Sequence, residues 1–212
     1  MNENAYIWFR LLQNMNFLII IMQILTQLNN FVLKLCRGLG VLTVILMVIA
    51  ILIQVFFRYI LNNALPWPDE AARFCMLWMT GLMAPTAFRR GGFVAIDFIT
   101  QFIPNVINLI LSMLLLLLSL LVLISALRIG YAEVTGFGGR FATASLYIPI
   151  TIDFQNWYRI PRSWMMMSLF VGCILLISVN LELIGRSILL KLGKDNLLPK
   201  IHDDTSMENS KC

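Results

Sequence analysis

Histidine is nearly missing from this 212-residue chain: the single one, His202, lies close to the C-terminal end. A haem held by two helix-borne imidazoles and a zinc site of the HExxH kind both need paired histidines, so both are excluded. Charge is also scarce, at 13% of residues, where soluble domains carry about a quarter. Cys36, Cys75, Cys173 and Cys212 show no CxxC spacing, and two of them fall inside apolar runs, which points to packing and not to a disulfide framework or a metal knuckle. No nucleophile elbow, P-loop or dinucleotide-binding turn is present. Gly136, Gly138 and Gly139 follow an apolar run without the strand and helix such a motif needs. Without paired histidines or a cluster of acids and nucleophiles, the sequence offers no catalytic, cofactor-binding or metal-binding set, and an enzyme is not expected. The opening Met-Asn-Glu-Asn has no basic region ahead of the first apolar stretch, so a cleaved signal peptide is not expected.

What is abundant is apolar surface. Hydrophobic residues make up 59% of the chain and the mean hydropathy is +0.83. Crossing a hydrocarbon core of roughly 30 Å takes about 20 helical residues, so the length allows several spans and no sizeable soluble domain besides. The formal charge of +5 is carried by residues at the ends of apolar segments, without the interleaved aromatics of a nucleic-acid-binding surface. These cations suit membrane lipids; a nucleic-acid partner is not expected.

The clearest span is Leu39–Phe57, nineteen uncharged residues between Arg37 and Arg58. A second uncharged run leads to a helix at about 104–128, and Ser163–Leu181, opened by Pro161 and closed by Glu182 and Arg186, gives another. Between Arg73 and Arg89 only fifteen uncharged residues remain, but Pro68-Asp69-Glu70 is a strong helix start, with proline in the first turn and acids on the positive end of the dipole. A helix over about 68–89 is then long enough, with Arg73 able to pair with Asp69 or Glu70 and a bend at Pro85. These features predict an all-α integral membrane protein with four transmembrane helices at about 39–60, 68–89, 104–128 and 162–186. The expected division is an N-terminal segment 1–37, a membrane domain 38–190 and a cytoplasmic tail 191–212.

Leu11–Leu33 is uncharged but rich in Asn and Gln. On a helical wheel Asn16, Gln23, Gln27, Asn30, Lys34 and Arg37 form one polar stripe, opposite Phe17, Leu18, Ile21, Leu25, Leu28, Val32 and Leu35. That pattern predicts an amphipathic helix lying in the interface, with a fifth span packed through its polar stripe as the alternative. Counting Lys and Arg in alternate connections gives ten on the side of the N-terminus and six on the other, which predicts both termini in the cytoplasm and a multi-pass chain. Arg89 and Arg90 then sit at the inner end, suited to a helix C-terminal dipole and to lipid phosphates. Asn105, Ser112 and Ser119 recur at steps of seven on one helix, and Thr43, Ala50 and Gln54 make a similar stripe on the first. Lipid does not reward such faces, so they are expected to meet other helices, in this bundle or in a partner. Glu182 and Arg186, four apart, are expected to form an interfacial salt bridge, and 129–160 an external loop.

The stretch Trp67-Pro68-Asp69-Glu70-Ala71-Ala72-Arg73-Phe74, then Trp78 and Gly81, then Phe88-Arg89-Arg90-Gly91-Gly92-Phe93-Val94-Ala95-Ile96-Asp97, resembles the signature of the small membrane subunit of tripartite ATP-independent periplasmic (TRAP) transporters, the DctQ-like family. Ser145-Leu146-Tyr147-Ile148-Pro149 and Trp157-Tyr158-Arg159-Ile160-Pro161 resemble the segment ahead of its last helix. Phe93 departs from the histidine usual there. The resemblance implies a subunit in the bacterial cell inner membrane that partners a large permease subunit and receives a periplasmic substrate-binding protein. It also implies sodium-coupled uptake of an organic acid, with sodium bound in the large subunit. Trp67, Asp69, Glu70, Arg73, Gly81, Arg89, Arg90, Gly91 and Asp97 are the signature residues, available for partner contact, though Asp69, Glu70 and Arg73 equally suit capping the second helix. A membrane anchor of an oxidoreductase, or a stand-alone assembly factor, is the alternative from a different class.

Overall fold

A computed structural model describes residues 3–63, 65–90, 105–149 and 157–191. Its elements are α1 (Glu3–Tyr59), α2 (Trp67–Arg89), α3 (Asn105–Thr135), a 3-10 turn (Phe137–Arg140), strands β1 (Ala142–Pro149) and β2 (Trp157–Pro161), and α4 (Ser163–Lys191). The 91–104 connection and the tail after 191 lie outside the described residues. Helices α1, α3 and α4 each hold a stretch long and apolar enough to cross a bilayer, so the chain is a helical membrane protein.

The polar N-terminal stretch and the first span are one continuous helix of 57 residues. Nothing between Leu33 and Leu39 breaks it, since Gly38 and Gly40 cost a helix only about 1 kcal/mol each. The expected boundary at residue 37 therefore falls inside a continuous element. From residue 19 onward its buried side chains are Ile19, Met22, Thr26, Asn29, Leu33 and Cys36, followed by Gly40 and Ala50. Intervals alternating three and four keep one seam facing its neighbours, as in left-handed helix pairs. Thr43 and Gln54 fall on the same half-buried seam, so the sequence stripe does face other helices. The helix ends where Asn62 takes a left-handed backbone with φ 48, a conformation asparagine tolerates.

Helix α2 begins behind Pro66 with Pro68 in its first turn and continues through the buried Pro85. It packs against α1 and α4, while α3 packs mainly against α4, which gives a row in the order α1, α2, α4, α3. Helices α2 and α4 approach closely. A Cβ added at Gly81 would stand 2.5 Å from the Ser168 carbonyl oxygen, and one at Gly172 would stand 3.0 Å from the Gly81 Cα. Backbones this near require glycine on both helices, the small-residue contact that membrane helices use in place of a hydrophobic drive.

The region expected as a loop contains structure. Helix α3 runs on to Thr135, and β1 pairs antiparallel with β2, Tyr147 opposite Arg159 and Ile148 opposite Tyr158. Thr143 Oγ1 donates to the Ile160 carbonyl at 2.8 Å, and the Arg159 guanidinium lies 5.2 Å over the Tyr147 ring, which together hold the hairpin closed.

Candidate functional site

Polar side chains converge from three helices at the Arg89 end of the bundle. Glu182, fully buried on α4, receives the Arg89 Nη2 of α2 at 2.7 Å and Arg186 one turn along α4 at 3.1 Å, both on Oε1. Its Oε2 accepts from Asn29 Nδ2 of α1 at 2.8 Å. Ser178 Oγ donates to Asn29 Oδ1 at 2.7 Å, and Arg89 Nη1 donates to Asn30 Oδ1 at 2.5 Å. One layer away Asn180 Nδ2 donates to Ser119 Oγ at 2.6 Å, which joins α3 to α4. A buried carboxylate is tolerated only when paired and hydrogen-bonded, and Glu182 is both. The cluster is a lock: it fixes the register of α1, α2 and α4 by directional bonds along an otherwise apolar seam.

The expected Glu182–Arg186 pair is present, but buried and shared with Arg89. Arg89 is therefore not a free lipid contact; its side chain is 7% exposed. Arg90 caps α2, its N–H bonded to the Thr86 carbonyl at 3.2 Å. Of the polar stripe on α1, Asn30 reaches Arg89, whereas the residues turned fully inward are Thr26 and Asn29. Sequence reasoning missed Asn29, whose signal was its place in the alternating three-four seam with Met22, Leu33 and Cys36.

At the opposite end of α2, Asp69 pairs with Arg73 at 2.8 Å in the open, at side-chain exposures of 51% and 73%. Glu70 does not cap the helix. Its carboxylate accepts from the Ala144 amide at 2.9 Å, the Ser145 amide at 2.5 Å and Ser145 Oγ at 2.6 Å, which ties the hairpin to α2. Burial alone would raise the Glu70 pKa, but these donors, the Ser145 hydroxyl first, outweigh it and leave the group below its ordinary 4.5. Trp67 lies here too, 40% exposed, lining a cleft of about 770 Å³ with Pro66, Ser145, Leu146 and Tyr147. Gly81 marks the α2–α4 contact. Ser112 Oγ bonds within its own helix to Asn108 at 3.4 Å, and Ser119 meets α4. The side chain of Asn105, and Gly91, Phe93 and Asp97, lie outside what is described. Among the described residues no three of His, Cys, Asp and Glu gather as a metal site would require.

The site and fold define a membrane-embedded helical subunit held together by a polar lock. A family profile, tripartite ATP-independent periplasmic transporters, DctQ component, matches residues 47–189. The chain belongs to this family, the small membrane subunit of TRAP transporters. No curated protein sequence matches the chain. Members of the family work beside a large permease and a substrate-binding protein, as a transporter component and not as an enzyme.

Proposed function

We propose that this chain is the fixed membrane scaffold of a TRAP system that takes up an organic acid with sodium. Substrate and sodium sites then belong to the large permease, and a periplasmic protein delivers the substrate. The observation that carries this reading is the apolar surface α1 leaves open. The stretch Ile19–Tyr59 has 41 residues, about 60 Å of helix, twice a hydrocarbon core of roughly 30 Å. Tilts in the usual range of about 0–40° do not absorb that excess. Ile24, Leu28, Phe31 and Leu35, at steps of four, three and four, are 57–72% exposed on one face. A face like this, extended past one leaflet, calls for a protein cover. The fixed register imposed by the Glu182 lock supports a static role, and the hairpin tied to Glu70 gives the other end an ordered surface for the soluble component. An inner-membrane location with both termini cytoplasmic is supported by the Lys and Arg bias.

The test is co-expression of the tagged chain with its neighbouring membrane proteins, followed by purification in mild detergent. A one-to-one complex with a large multi-span permease, active in sodium-dependent uptake only when both chains are reconstituted, is expected. Recovery of a monodisperse chain without such a partner, or with a redox enzyme, overturns the reading.

A further inference from the structure

Three spans end at one level of the bundle. The apolar stretch of α1 stops at Tyr59, that of α3 stops at Thr135, and that of α4 starts at Ser163. The start of α2 and the hairpin stand at this level too, joined there by Glu70. Exposed aromatic rings gather with them: Tyr59, Trp67, Tyr147, Tyr158 and Trp164 are 40–72% exposed. Rings with an apolar body and a polar tip mark the headgroup depth of a bilayer.

At this depth lies the cleft of about 770 Å³, with Pro66 and Trp67 on one side and Ser145, Leu146 and Tyr147 on the other. Glu70 sets its width, because its carboxylate holds the Ala144 and Ser145 amides against the first turn of α2. The walls are proline, leucine and two aromatic rings, apart from Ser145, whose hydroxyl already donates to Glu70 at 2.6 Å. Cavities of roughly 300–1,000 Å³ with such walls bury small apolar ligands. One charge stands beside the cleft. Arg159 lies 5.2 Å over the Tyr147 ring, with Nε donating to the Tyr147 hydroxyl at 3.0 Å and Nη2 to the Ala144 carbonyl at 3.1 Å. Neither partner is a carboxylate, and among the described residues none pairs with Arg159. The acids of this corner are engaged elsewhere: Asp69 with Arg73, Glu70 with its three donors. An apolar cleft at headgroup depth, next to a cation without a counter-ion, is matched by an acyl chain that carries a phosphate. We propose that this cleft binds an anionic phospholipid, with the upper part of an acyl chain between Trp67 and Leu146 and the phosphate at Arg159. A free phosphate would use Arg159 and leave the apolar walls wet.

The experiment is photolabelling of the full chain in detergent with phosphatidylglycerol that carries a diazirine in one acyl chain, the adducts mapped by peptide mass spectrometry. Adducts are expected on the peptides holding Trp67 and Leu146, saturating as a single site does. Unlabelled phosphatidylglycerol is expected to compete about fivefold better than phosphatidylcholine, the worth of one cation near a phosphate, and glycerol phosphate not to compete. Arg159→Gln is expected to remove that preference. Leu146→Trp, which fills the cleft, is expected to lower the labelling about tenfold, while Leu118→Trp on the open face of α3 is expected to leave it unchanged. If a variant fails to purify as a monodisperse species, the competition series on the unaltered chain carries the test. Adducts spread over the open apolar faces without enrichment at the cleft, equal competition by phosphatidylcholine or by glycerol phosphate, undiminished labelling in Leu146→Trp, or an equal loss in Leu118→Trp overturns the proposal. Competition by the soluble substrate-binding protein but not by unlabelled lipid would assign the cleft to that protein, and overturns it as well.

Discussion

Glu182 is where a single atom group decides most. With its carboxylate gone, Arg89 and Arg186 would lie within the bundle without a counter-charge and Asn29 would lose an acceptor. Breaking a buried pair by removing one partner costs roughly 3–5 kcal/mol. Glu182→Ala is therefore expected to lower the thermal unfolding midpoint in detergent sharply. Arg89→Gln in the same chain is expected to recover part of the loss, the coupling a double-mutant cycle reads. Independent, additive losses would remove the lock from the account. Only half of this cluster was legible in the sequence. Glu182 and Arg186 announce themselves by their four-residue spacing, whereas the link to Arg89 and Asn29 depends on which helices pack together, and periodicity is silent on that. Glu70 gives a second prediction at this scale. Its folded pKa is depressed, so its contribution is present above the unfolded value and is lost as pH falls through the lower folded one. Hydrogen exchange of the β1 amides is expected to accelerate as pH is taken below about 4, after correction for intrinsic rates. In Glu70→Gln it is expected to be fast at neutral pH. Protection unchanged in that variant would mean the hairpin holds without the tether.

Among the elements, α2 and α4 are set by what they lack. Gly81→Leu or Gly172→Leu forces a side chain into the opposing backbone, and overpacking costs typically about 1–3 kcal/mol even where a core can yield. Both variants are expected to destabilise the bundle by at least that in thermal unfolding, while Gly38→Leu, with nothing near its Cβ position, is expected to cause no loss. Equal losses at all three positions would remove close approach as the cause. The start of α2 could be read directly from Pro68, Asp69 and Glu70. The continuity of α1 could not, because a polar stripe looks the same whether water or the Arg89 side chain lies opposite. The end of α3 was placed too early, since a charged residue such as Arg128 or Glu133 need not end a helix, and this one runs on to Thr135. The hairpin escaped notice because its strands are short and its partner for Glu70 is the backbone of Ala144 and Ser145, which has no sequence signature.

For the whole molecule the row order matters. Four helices in line leave α1 and α3 with long open faces, Leu28 and Leu35 on one and Leu114, Leu118 and Leu121 on the other. Leu28→Asp/Leu35→Asp is expected to leave the purified chain folded and to cut recovery of the large permease about tenfold, a change of about 1.4 kcal/mol. Undiminished co-purification would move the contact to another face.

The bonds of the lock also impose an order in time. Glu70 meets Ser145 across 75 positions, and Asn29 meets Glu182 across 153. At synthesis rates of about 5–20 residues per second, roughly eight to thirty seconds separate the emergence of Asn29 from that of its carboxylate. Once α2 has followed α1, Arg89 can meet Asn30, but Asn29 and Arg89 still lack the Glu182 carboxylate. The hairpin end is completed first and the Glu182 end last, so the nascent chain stays open at one end until its final helix arrives.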